Sequence, residues 1–154
     1  ADPSKVVIRG GSAGGYAVLN GLVHSKVFAA GANYYGVAEL IMLAEDTHDF
    51  ESRYLDSLIG PYPEQKELYV ERSPLTHADN LTSPLIIFQG SDDPIVPPSQ
   101  SQAFRDACIK NGVKYKYFEF EGESHGFRKS QTITTCAIEE LKFFGEVLGF
   151  VPAD

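Results

Sequence analysis

Apolar positions along this chain fall into two patterns, short continuous runs and stretches at helical spacing. Lys5 to Arg9 is a compact β-branched run and reads as a buried strand. Ala13 to Val23 is apolar on nearly every face, as expected of a helix packed beneath a sheet. A second strand is expected from Val27 through Tyr35, with Ala29, Ala30, Gly31 and Ala32 where a central strand is crowded and Gly36 closing it. From 37 to 83 the pattern is of short helical pieces broken by Gly60-Pro61 and Pro63, an insertion that caps the sheet. Pro84 to Gly90 is the clearest buried strand, since proline is tolerated at a first position. Ala103, Phe104, Ala107 and Cys108 then mark a helix capped by Ser99 or Ser101 and ended by Gly112. Lys114 to Phe120 is strand-like, with Tyr115 and Tyr117 alternating with lysines. Ile133, Cys136, Ala137, Leu141, Phe144 and Leu148 predict one buried face of a final helix that stops before Gly149.

Four strands alternating with helices argue for an α/β fold, a parallel sheet sandwiched between helices in three layers with right-handed crossovers. The 154 residues, 43% of them hydrophobic, suffice for one domain with its own core. A formal charge of −8 without a basic run argues against nucleic acid as a partner. No apolar run approaches the roughly 18 residues of a membrane span, and Ala1-Asp2-Pro3-Ser4 lacks the basic and hydrophobic regions of a signal peptide. No membrane partner is therefore expected. Cys108 and Cys136 stand apart, in no Cys-x-x-Cys pair and near no histidine cluster, and read as buried free thiols of a cytoplasmic protein. No metal site and no cofactor is indicated. Nucleotide folds fail as well, because Ser12 stands where Gly-x-Gly-x-x-Gly counted from Gly10 needs a glycine, and no Gly-Lys-Ser/Thr follows.

In open α/β sheets, reactive groups gather beyond the carboxyl ends of the strands. Ser12 follows the first strand inside Gly10-Gly11-Ser12-Ala13-Gly14, a Gly-x-Ser-x-Gly turn between strand and helix. Strand and helix pass so close in such a turn that a Cβ at Gly10 or Gly14 is expected to collide with a neighbour. Asp92-Asp93 follows the third strand, and His125 the fourth. Serine needs an imidazole to accept its proton, and the imidazole needs a carboxylate to set its tautomer. The order Ser, Asp, His is that of the α/β hydrolases. His24, ending the first helix, and His48 and His77, in the insertion, follow no strand and read as structural or surface residues.

Three segments resemble the catalytic blocks of the prolyl oligopeptidase family of serine peptidases, in its acylaminoacyl peptidase and dipeptidyl aminopeptidase-like branch. They are Gly10-Gly11-Ser12-Ala13-Gly14-Gly15-Tyr16, Gln89-Gly90-Ser91-Asp92-Asp93-Pro94-Ile95-Val96-Pro97 and Glu121-Gly122-Glu123-Ser124-His125-Gly126-Phe127. The resemblance implies an α/β-hydrolase domain with Ser12 as nucleophile, His125 as general base and acid, and Asp93, in preference to Asp92, as the orienting acid. It implies that the main-chain N–H of Ala13, the residue after the nucleophile, is an oxyanion donor. It further implies that Phe50 and Tyr54, an aromatic pair spaced by four, line the pocket for the residue before the scissile bond. A core-facing helix stripe explains the same spacing.

The resemblance implies cleavage of a peptide or acyl-peptide substrate through an acyl-serine, and the same machinery serves carboxylic esters. It also implies that the chain is the carboxyl-terminal half of its domain, because in the family further strands and a second oxyanion donor precede the elbow. The first strand would then be a sheet edge prone to homo-oligomerisation or to association with the missing amino-terminal part. A catalytically incompetent binding or assembly module is the rival expectation.

Overall fold

The computed structural model describes residues 2–46 and 54–152. In chain order its main elements are β1 Val7–Gly11, α1 Ala13–His24, β2 Ala30–Tyr34, α2 Leu40–Asp46, α3 Tyr54–Leu58 and α4 Lys66–Arg72. They continue with β3 Leu85–Gly90, α5 Pro98–Asn111, β4 Tyr115–Phe120 and α6 Ser130–Leu148. The strands form one sheet in the order β1-β2-β3-β4, and every pairing is parallel. The register sets Gly11 opposite Tyr34, Tyr34 opposite Phe88 and Gly90 opposite Phe120, so the carboxyl ends share one rim.

Alternation along the strands sorts side chains between the two faces. In β3, Leu85 and Ile87 join Val18, Leu19 and Leu22 of α1 and Phe104 and Cys108 of α5. Ile86 and Phe88 face the other way, onto Cys136, Phe143 and Phe144 of α6. Burial on both faces explains why β3 reads as an uninterrupted apolar run, with all six residues buried. β4 splits its aromatics similarly: Tyr115 and Tyr117 pack towards α5, and Phe118 and Phe120 stack with Phe88 at 5.5 and 6.4 Å. The two thiols lie on opposite faces of the sheet, which precludes a disulfide between them.

The segment between β2 and β3 holds short helices joined by turns, with no strand among its described residues, and it does more than cap the sheet. A 3-10 helix at Pro74–Asn80 lays Ala78, followed by Leu81, into the core beneath α1 and α5. Val37, Leu40, Tyr69 and Val96 form a further apolar cluster beside the rim.

Several local expectations are corrected. The first strand runs two residues further than expected, to Gly11, while Lys5 lies in a 3-10 turn. Val27 is exposed and precedes β2. The outer face of α1 is small and solvated, at Ala13, Gly14 and Ala17, rather than apolar and covered. Neither Ser99 nor Ser101 caps α5, which starts at Pro98 after Pro97; buried Ser101 instead donates its hydroxyl to Gln89 Oε1. Gly112 and Gly149 end α5 and α6 in left-handed conformation, as expected. The inward face of α6 is rotated: Thr132, Cys136, Phe143, Phe144 and Gly145 are buried, while Ile133 and Leu141 are about half exposed, at 51% and 46%. The reason is the narrow sheet. Ile133 and Ala137 border a hollow of about 240 Å³ beside Arg9 of β1 and Tyr34 of β2, where β1, paired among the described residues with β2 alone, leaves α6 nothing more to cover.

Candidate active site

Ser12 sits between β1 and α1 with φ 56 and ψ −119, a conformation a non-glycine residue holds only when its surroundings over-determine it. Two backbone bonds do so. Its N–H donates to the Tyr34 carbonyl at 3.0 Å, extending the sheet, and its carbonyl accepts from Tyr16 N–H at 2.9 Å, starting the helix. The turn requires glycine at Gly10, where a Cβ would lie 2.5 Å from the Gly14 carbonyl oxygen. The converse expectation for Gly14 fails: a Cβ there would meet nothing within 4 Å, because it points to solvent. Gly11 is confined by the ring of Tyr35, whose nearest atom would stand 3.1 Å from an added Cβ.

The three loops expected to carry chemistry converge. His125 Nε2 lies 2.9 Å from Ser12 Oγ, and its Nδ1 lies 2.8 Å from Asp93 Oδ2. A carboxylate only accepts, so the ring proton sits on Nδ1 and Nε2 is left to accept the Ser12 hydroxyl. The Asp93 side chain is fully buried, and its other oxygen accepts from the N–H groups of Ile95 and Val96, each at 2.9 Å. Those two donors compensate the burial of the charge and aim Oδ2 at the imidazole. Asp92 is exposed, accepts from Ser91 Oγ at 2.6 Å and faces away from the histidine's partners. The structure thus separates the two adjacent carboxylates that the sequence pattern left open.

Two contributors were not anticipated. Glu123 is buried in the loop of His125 and accepts from the N–H groups of Arg128 at 3.0 Å and Lys129 at 2.9 Å. Burial opposes its ionisation, but these amides and the Thr132 hydroxyl outweigh it and hold the carboxyl below its ordinary value. The loops of Asp93 and His125 are further joined by Asp92 N–H to the Glu123 carbonyl at 3.0 Å and by Gly122 N–H to Ser91 Oγ at 2.9 Å. Tyr35, just past β2, sets its ring 5.0 Å from that of His125. Neither has a sequence signal, since Glu123 lies several residues ahead of the helix it serves and Tyr35 matches no turn preference.

A model of the prolyl oligopeptidase family matches residues 1–150. The chain belongs to this family. A puromycin-hydrolyzing peptidase of Mycobacterium tuberculosis superposes over 100% of the chain and 23% of its own length, with a TM-score of 0.96 and 49% identity. Dipeptidyl aminopeptidase BIII of Pseudoxanthomonas mexicana is 33% identical over 151 residues, covering 94% of the chain and 22% of the relative. Esterase LipQ of Mycobacterium tuberculosis is 28% identical over 166 residues, covering 96% of the chain and 39% of the relative. The chain therefore spans between about a fifth and two fifths of the length of these proteins.

In this member of the prolyl oligopeptidase family, a cavity of about 550 Å³ opens beside Ser12 and His125. Val37, Leu40, Leu55, Ile59 and Val96 make its wall mostly apolar, and Arg72 is the one charged residue at its border among the described residues. The helical segment between β2 and β3 supplies most of that wall. Phe50 lies outside the described residues, and Tyr54 enters the description as the first residue of α3. His48 also lies outside them, while the rings of His24 and His77 meet at a tilt, with centroids 4.6 Å apart, at the opposite end of α1 from Ser12.

Proposed function

We propose that the chain carries the acyl-transfer centre of a serine peptidase, with Ser12 as nucleophile, His125 as general base and then acid, and Asp93 as the orienting carboxylate. The observation that carries this reading is the continuous hydrogen-bonded chain from Ser12 Oγ through both nitrogens of His125 to buried Asp93. In the first step Ser12 Oγ bonds to the scissile carbonyl carbon while its proton passes to Nε2. The first amides of α1 have no acceptor within the helix, and the Ala13 N–H is the donor for the developing oxyanion. Collapse of the tetrahedral species expels the amine, which takes the proton from Nε2 and leaves acyl-Ser12. Water, activated by the same nitrogen, then releases the acid.

The apolar cavity supports a large hydrophobic residue on the acyl side of the cleaved bond. The likeness to the puromycin-hydrolyzing peptidase of Mycobacterium tuberculosis favours an amide substrate of this kind. Carboxylic esters are the second reading, favoured by the likeness to Esterase LipQ. The unpaired edge of β1 and the half-exposed flank of α6 support association with further strands of a larger protein. Opposite-face, unpaired thiols fit a reducing, cytoplasmic setting.

Labelling with a fluorophosphonate probe tests the centre. Stoichiometric modification of Ser12 that Ser12→Ala and His125→Ala abolish is the expected result. A folded protein that does not react contradicts it and favours a binding module. Matched amide and ester substrates with the same hydrophobic acyl group then rank the two activities by kcat/KM.

A further inference from the structure

Tyr35 is the residue that the acyl-transfer scheme leaves unused and the backbone treats as special. Its φ of 39 places a bulky aromatic residue in the left-handed region, which such residues rarely enter. The conformation is enforced by neighbours, since the Tyr34 carbonyl holds Ser12 N–H and Tyr35 N–H donates to the Phe88 carbonyl at 2.8 Å. As a result the ring stands over Gly11, the residue before Ser12, and is fixed from the other side by Phe127 at 5.1 Å and 86°. Between these supports it meets the His125 imidazole at 5.0 Å and 61°.

We propose that Tyr35 is a positioning residue for His125, a role that rests on the reading of Ser12 and His125 above. The two hydrogen bonds of the imidazole act at its nitrogens and within its plane, so they set which atoms face Ser12 and Asp93 but resist tilting of the ring only weakly. One side of His125 borders the open cavity, and its side chain retains 21% exposure. The Tyr35 ring supplies the contact that limits the tilt, and it connects the elbow to the base through a single side chain touching Gly11 and His125. The hydroxyl has no part in this, as no hydrogen bond is formed by Tyr35 Oη among the described residues.

The test uses Tyr35→Gly and Tyr35→Phe in the full-length protein. Glycine suits the positive φ, so the fold is retained and the thermal midpoint is expected to hold, while the ring is lost. Because small misplacements of reacting groups are costly, kcat on a hydrophobic aminoacyl amide and the fluorophosphonate labelling rate should fall at least about 10-fold in Tyr35→Gly, with KM within about twofold. Tyr35→Phe should restore both. The downfield Nδ1 proton resonance of His125 should broaden in Tyr35→Gly and remain sharp in Tyr35→Phe, a signature that a purely structural role would leave unchanged. If Tyr35→Gly fails to fold, Tyr35→Asn, also compatible with this backbone region, replaces it. Wild-type rates in the ring-less variant, with Ser12→Ala and His125→Ala inert, overturn the positioning role alone. Failure of the wild-type protein to label at Ser12 overturns the centre and this role with it.

Discussion

Replacing Asp93 with asparagine is the sharpest test of the hydrogen-bonded chain, because the structure dictates how the new side chain must sit. The atom at the Oδ1 position accepts two bonds, from Ile95 and Val96 N–H at 2.9 Å each, and an amide nitrogen there would set donor against donors. The asparagine oxygen therefore takes that position and its NH2 points at His125 Nδ1, 2.8 Å away in the native protein. Only the other tautomer accepts from that NH2, with the ring proton moved to Nε2. Nε2 then faces Ser12 Oγ as a donor and cannot take its proton. The same inversion in a Ser-His-Asp triad costs about 10⁴-fold in kcat, equivalent to about 5.4 kcal/mol. Asp92→Asn alters an exposed carboxylate bonded to Ser91 and should change kcat by less than about twofold, the scale of surface substitutions away from special features. Steady-state hydrolysis of a hydrophobic aminoacyl amide measures both, with circular dichroism to confirm folding. Asp93→Asn retaining a tenth of the activity, or Asp92→Asn losing most of it, would refute the reasoning.

The two glycines flanking Ser12 should respond oppositely to a methyl group. Gly10→Ala drives a Cβ against the Gly14 backbone and should cost at least about 2 kcal/mol in urea unfolding, whereas Gly14→Ala, on the solvated side of α1, should be neutral or stabilising by about 0.5–1 kcal/mol. Cys108 and Cys136, whose thiols burial pushes up to about 12, should resist iodoacetamide at pH 8 in the native protein and react on unfolding, followed by mass spectrometry. Glu123 has a folded-state pKa below the ordinary 4.5, so its stabilisation of the His125 loop is fully present above that value and is lost as pH falls through the folded pKa. Glu123→Gln should remove this acid-dependent component, measured as a flatter dependence of thermal midpoint on pH below 4.5.

Strands buried on both faces, such as Leu85–Gly90, were legible because their apolar runs are continuous and bounded by proline and glycine. The elbow was legible because close passage of strand and helix excludes a Cβ at Gly10. The α6 face was not, because its pattern of apolar residues records a helix with two apolar flanks, and only the narrow sheet determines which is covered. The cap of α5 was misread for a related reason: Ser101 is consumed by Gln89, a partner on another element.

For the site, residue types and their order along the chain were enough to point to Ser12, His125 and the pair Asp92-Asp93, because proton transfer to an imidazole and its orientation by a carboxylate demand those groups; only the family resemblance preferred Asp93. Tertiary structure alone decided what touches them. Asp93 rather than Asp92 is turned inward by the amides of Ile95 and Val96, the cavity is walled by side chains from the helical segment, and Tyr35 reaches His125 across the rim. A chemical requirement is written in one residue at a time, and can be read locally. Distance, burial and facing direction belong to pairs of residues far apart in sequence, and they exist only once the sheet has brought four strand ends to the same rim.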